Sequence, residues 1–154
     1  MSKPSPGSPP PRQTDRGRAF LADHPVQSIT IGGAPGCRIA VRLPSYRSLP
    51  LSCLEKISVW IDGEGVEKGR MELVLDGHAY GVDELASLPH VWWFILDVGE
   101  LRVRLPAPLD RSELSVRGEL VTVEPYISNG RFHFTSSSER TLTVIDSRGG
   151  VGGG

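Results

Sequence analysis

Apolar residues that recur at every second position, in runs repeatedly broken by glycine and proline, constrain this chain more than any other feature. Ile29 and Ile31 alternate with Ser28 and Thr30, and Ile39 and Val41 alternate with Arg38, Ala40 and Arg42. Ile57, Val59 and Ile61 alternate with Ser58, Trp60 and Asp62. Successive side chains of a strand point to opposite faces, so each run predicts a half-buried strand. After the turn-prone Asp62-Gly63 the chain returns with Met71, Leu73 and Leu75 on one face, which predicts a hairpin with a longer loop, and Asp76-Gly77 predicts a further turn. Leu101, Val103 and Leu105 form another run, closed by Pro106 and Pro108, which cannot donate to a ladder. From Leu114, Val116 and Leu120 to Val121 and Val123 the apolar parity switches, and a β-bulge near Gly118 would produce that switch. Leu142 and Val144 predict the last strand.

Only Asp83 to Leu88 resembles a helix, with an acidic start and Pro89 behind it, and it is too short to be more than a connector. Seven or eight short strands with turns between them predict an all-β fold, an antiparallel β-sandwich with this one short helical connector. The 18 glycines and 13 prolines suit that punctuation. At 154 residues and 38% hydrophobic content the chain is long enough for one domain with a core. Residues 1–19, rich in proline with serine and basic residues, are predicted to be a disordered leader, 20–147 the sandwich domain, and 148–154 a flexible glycine-rich tail.

A net charge of -1, from 17 basic and 18 acidic side chains, makes no field that would attract nucleic acid or an anionic membrane. No apolar run is long enough to span a bilayer, and the N-terminal stretch lacks the apolar segment of a signal peptide, so the expected location is cytoplasmic. In a reducing compartment Cys37 and Cys53 are expected as two buried thiols.

Self-contained chemistry is hard to find. Gly63-Glu64-Gly65-Val66-Glu67-Lys68-Gly69 carries glutamates that would repel a phosphate, and it reads as a hairpin loop. None of His24, His78, His90 and His133 has a His, Cys or carboxylate at metal-ligand spacing. His78 and His90 are capping or surface residues, or else proton-transfer groups near a substrate. There is neither a nucleophile elbow nor a carboxylate pair arranged for glycoside hydrolysis.

Two segments exceed what a sandwich needs. In His90-Val91-Trp92-Trp93-Phe94-Ile95-Leu96 a strand conformation sends Trp92 and Phe94 to one face and Trp93 to the other. One face must pack the core. The other either lies beneath the 82–88 connector or forms a protein interface or a platform for a sugar or aglycone. Pro44 to Cys53 is irregular and proline-bounded, with Tyr46 and Arg47 among hydroxyls and leucines; it is either a crossover between sheets or a recognition loop.

These segments carry a resemblance. Tyr46-Arg47-Ser48-Leu49-Pro50-Leu51-Ser52-Cys53-Leu54-Glu55, then Val59-Trp60-Ile61-Asp62-Gly63-Glu64, Leu75-Asp76-Gly77-His78-Ala79-Tyr80, Asp83-Glu84-Leu85 and Trp92-Trp93-Phe94 resemble the β subunit of bacterial C-glycoside deglycosidases, over about Val26 to Ile145. The resemblance implies a small β-sandwich that assembles with a larger TIM-barrel α subunit. It implies no catalytic residue, metal or cofactor in this chain, the divalent metal, manganese, and the general base lying in the partner. The pair would cleave the carbon–carbon bond between a 3-oxo-sugar and a flavonoid-type aromatic aglycone. A C3 ketone acidifies the C2 proton and permits elimination, which acid catalysis of the glycosidase kind cannot achieve at carbon. A docked sandwich would wall the open face of the barrel, with Tyr46, Arg47, Trp92, Trp93 and Phe94 as its substrate or partner surface. Ile95-Leu96-Asp97 departs from the family pattern, where a further aromatic and a glycine stand, and bears on aglycone preference.

Two other readings are open. A stand-alone carbohydrate-binding sandwich would stack sugars on the tryptophans, and an independent enzyme would use Tyr46, Arg47 and His90.

Overall fold

The computed structural model describes residues 19–45, 47–124 and 132–146. The predicted leader, except for its last residue, and the predicted tail lie outside the described residues. Among the described residues there are eleven strands: β1 (Val26–Ile31), β2 (Ala34–Arg42), β3 (Leu49–Pro50), β4 (Leu54–Ile61), β5 (Glu64–Gly65), β6 (Met71–Leu75), β7 (His78–Gly81), β8 (Trp92–Trp93), β9 (Val98–Arg104), β10 (Glu113–Glu124) and β11 (Phe132–Asp146). Nine of them form one sheet in the order β5-β4-β10-β11-β1-β2-β9-β6-β7, and β3 pairs with β8 in a separate two-stranded sheet. The fold is all-β as expected, with a 3-10 turn at Val82–Ser87 where the helical connector was predicted. All pairings are antiparallel except β1 with β11, where Val26 faces Val144.

The large sheet curls, so that its two wings supply one core. Cys37, Ile39 and Val41, Leu101 and Val103, and Met71, Leu73 and Leu75 point inward from β2, β9 and β6. Ile57 and Val59, Leu114, Val116 and Leu120, and Leu142 meet them from β4, β10 and β11. The inward positions are every second residue, so the period-two pattern of the sequence is the record of this core.

The seam between the wings is closed by two pieces of chain. β1 fills it at one end. At the other, Leu21 bridges to Val41, the Ala22 N–H donates to Ala40 O (3.0 Å) and the Arg42 N–H donates to Phe20 O (2.8 Å). Across the seam the partners are side chains of β11: the Leu21 N–H donates to Ser138 Oγ and Arg140 Nε donates to Leu21 O, both at 3.1 Å. Phe20 and Leu21 are fully buried against Gly118, where an added Cβ would stand 2.9 Å from Leu21 Cδ2 and 3.0 Å from Phe20 Cδ2.

That packing corrects the expected bulge near Gly118. β10 stays in unbroken register with β11 from Glu113/Thr143 to Glu124/Phe132. Leu114, Val116, Gly118, Leu120 and Thr122 all keep the inward parity, while Val121 and Val123 are half-buried on the other face. The missing side chain at Gly118 mimics a parity switch because its place is filled by Phe20 and Leu21. The irregularity lies in β4, where Val121 pairs with Lys56 and Thr122 with Leu54, leaving Glu55 extra.

The longer-loop hairpin after Asp62 is also corrected. Asp62 and Gly63 both have positive φ (51° and 86°) and make a two-residue turn from β4 into the short β5. The Asp62 carboxylate pairs with Arg111 and accepts the Ser115 N–H, clamping the turn to β10. The chain then leaves this wing through a 3-10 turn at Lys68–Arg70, and β6 pairs with β9 and β7 in the other wing. Asp76 and Gly77 (φ 51° and 79°) make the predicted turn, between β6 and β7.

Candidate functional site

The two unusual segments meet. Residues 43–53 connect β2 to β4 and residues 88–97 connect the 3-10 turn to β9, and they pair as β3 and β8, Leu49 with Trp93 and Pro50 with Trp92. The Leu51 N–H donates to Val91 O (2.7 Å), the Ser52 N–H to Leu88 O (3.2 Å), and the Ile95 N–H to Ser48 Oγ (2.8 Å). A turn closes residues 94–97, with the Asp97 N–H on Phe94 O (2.9 Å). Proline and hydroxyl residues suit this piece because its bonds are few and partly made by side chains.

The strand geometry splits the aromatic trio as its alternation predicts. Trp93 is fully buried, and its indole N–H donates to Asp97 O (3.0 Å). Room for the ring exists because Gly99 has no side chain: a Cβ there would lie 3.3 Å from Trp93 Cζ2 and 2.8 Å from Leu75 Cδ2. Trp93 is therefore an anchor of the core and offers no surface. Trp92 and Phe94 point the other way, 41% and 57% exposed. The 82–88 connector does not cover them; its Val82 and Leu85 are buried in the core instead.

Arg47 is exposed on the same connection, with its N–H on Ser45 Oγ, and Tyr46 lies outside the described residues. The sequence reading kept Leu96 in the aromatic segment without assigning it to the surface and passed over Val98; they are 78% and 43% exposed. The signal was available, since positions 92, 94, 96 and 98 are all apolar and share a parity. Arg42 is the register partner of Val98 on the outward face of β2 and β9.

The other candidates stand apart. His24, His78 and His90 are exposed, and His78 Nδ1 lies 3.1 Å from the Asp76 carbonyl. His133 Nδ1 lies 2.6 Å from Glu55 Oε1, a half-exposed pair that spans β10 from outside. Trp60 stacks beneath the Arg117 guanidinium, 4.4 Å from the ring centre. Cys37 is buried, which pushes its thiol pKa up to about 12 and leaves it without nucleophilic character, whereas Cys53 is only half-buried, not fully buried as expected. Among the described residues no three His, Cys, Asp or Glu side chains come together to hold a metal ion, so no chemical step is assigned to a metal on this chain. Among the described residues no helix is long and apolar enough to cross a membrane. The arrangement can present a rigid apolar surface with a polar margin.

Comparison with known proteins shows the family of the chain. A family model described as CGDB, C-glycoside deglycosidase beta subunit, matches residues 18–126. A C-glycoside deglycosidase beta subunit of Arthrobacter globiformis is 29% identical over 128 residues, covering 81% of this chain and 98% of the relative. The 3'-dehydrocarminate deglycosidase beta subunit of a Microbacterium species is 32% identical over 66% of this chain and 76% of its own length. A C-glycoside deglycosidase beta subunit of Microbacterium trichothecenolyticum is 29% identical over 72% of this chain and 86% of its own. The matched region contains the whole β3/β8 piece and every strand of the large sheet except β11, and the chain belongs to the C-glycoside deglycosidase beta subunit family.

Proposed function

We propose that this chain is the accessory subunit of a cytoplasmic, heteromeric C-glycoside deglycosidase, which cleaves the carbon–carbon bond between a 3-oxo-sugar and an aromatic aglycone. The family match across residues 18–126 carries the reading. The name of the Microbacterium relative, a 3'-dehydrocarminate deglycosidase, supports an oxidised sugar as the substrate class. The base and the divalent metal, manganese, belong to a TIM-barrel partner. In the elimination the C2 proton passes to a base, the C1–aryl electrons leave with the aglycone, and the aglycone carbon takes up a proton.

This chain's part is to bind and to enclose. The β3/β8 piece presents Trp92, Phe94 and Arg47 as the substrate or partner surface, and the docked chain walls the reaction site against water. Cys37, kept as a buried thiol, suits a reducing compartment.

Co-expression with an isomerase-like barrel encoded beside it, followed by size exclusion, tests the assembly. The expected result is a stable complex that cleaves a 3-oxo-C-glycoside and responds to Mn2+, with no turnover by this chain alone. A chain that stays monomeric beside the barrel, or that binds free sugars by itself, overturns the reading.

A further inference from the structure

Five large apolar side chains are exposed among the described residues, and four of them, Trp92, Phe94, Leu96 and Val98, fall within seven consecutive positions. The fifth, Ile145, lies near the end of β11. A concentration of this kind marks an interaction site rather than ordinary scattered exposure. The backbone beneath it is fixed: Trp93 is sunk in the core, Ser48 holds the Ile95 N–H, and the 94–97 turn is closed. Such a surface loses little freedom on binding. Its margin is polar and mixed in sign, with Arg47 and Asp97 exposed and Arg42 beside Val98.

An apolar centre with aromatic anchors and a polar rim is the anatomy of a protein interface. A flat ligand would stack on Trp92 and Phe94, but stacking has no use for Leu96, in the turn, and Val98, just after it, which add aliphatic carbon to the patch. The relatives are beta subunits, so a different chain must be seated somewhere on proteins of this kind. We infer that the face formed by Trp92, Phe94, Leu96 and Val98 is the seat of the companion subunit, and that its contact is with protein rather than with substrate. The inference rests on the subunit reading above.

The test uses the full chain and the full companion subunit, with association measured by calorimetric titration and folding checked by circular dichroism. Phe94→Asp and Leu96→Asp replace exposed side chains, and each is expected to weaken association by about thirtyfold or more while the fold is kept. Ile145→Asp, the same chemistry elsewhere, is expected to bind as the parent does. If the parent binds and all three variants bind equally well, the seat lies elsewhere and the inference fails alone. Unchanged association with a raised KM for the 3-oxo-C-glycoside overturns it in favour of a substrate platform. Dimerisation of the chain alone that Phe94→Asp abolishes overturns it in favour of a second copy. A parent chain that binds no companion removes the subunit reading and the inference together.

Discussion

Adjacent tryptophans with opposite surroundings give a sharp prediction. Trp93 is fully buried, donates to Asp97 O, and fills the space that Gly99 leaves. Truncation to alanine removes the transfer free energy of a whole indole and opens a cavity beneath β8, a loss of about 3–5 kcal/mol. Against a total stability of about 5–15 kcal/mol this is a large share. At about 4 °C per kcal/mol for a domain of this size, the melting temperature should fall by roughly 12–20 °C. Trp92→Ala leaves no closed cavity, because the ring is already 41% exposed, and should lose about 1–2 kcal/mol at most. Trp93→Phe keeps most of the volume and should fall between the two. Urea unfolding of the three variants, followed by circular dichroism, measures the differences. Equal losses for Trp92→Ala and Trp93→Ala would refute the division of the trio into an anchor and a surface.

Two further outcomes follow from the core. Folded Cys37 keeps its proton to about pH 12, whereas the thiol of an unfolded chain ionises near its ordinary 9.0, so the unfolded state gains from ionisation as the pH rises. Stability should therefore fall above pH 9 by about 1.4 kcal/mol per pH unit at the steepest. Cys37→Ala should flatten that slope in urea titrations at pH 8 to 10; an unaltered slope would show that another group causes it. Gly118→Ala drives a methyl into Leu21 and Phe20 and should cost about 1–3 kcal/mol. Adding Leu21→Ala should then cost less than in the parent chain, and strict additivity in that double-mutant cycle would rule out the contact.

Much of the fold was legible in local pattern. β2, β4, β6, β9 and the end of β11 stand where apolar residues alternate, and the Asp76-Gly77 turn sits where its dipeptide predicts. β1 was legible as a strand, although Ile29 and Ile31 remain half-buried and Val26 is its core residue. Alternation fails at Gly118, because the side chains that fill the position come from Phe20 and Leu21, distant in sequence. It also fails to choose partners: β4 and β6 are separated only by the short β5 and a 3-10 turn but lie in opposite wings, a decision made by the pairing of β4 with β10 and of β6 with β9. Of the candidate surface, Arg47, Trp92 and Phe94 were legible and are exposed. Val98 was overlooked, and Leu96 was not assigned to the surface, since an apolar residue next to a strand reads as core until its neighbours are known.

The sequence by itself determined an all-β chain, the places of most strands and turns, the family, and the two-sided character of Trp92-Trp93-Phe94, because period and turn chemistry act over a few residues. Only the tertiary structure decided which side of that trio is buried. The choice came from Gly99 and Leu75 making room for Trp93 and from β3 holding β8 in place, and that same choice left Trp92, Phe94, Leu96 and Val98 in solvent.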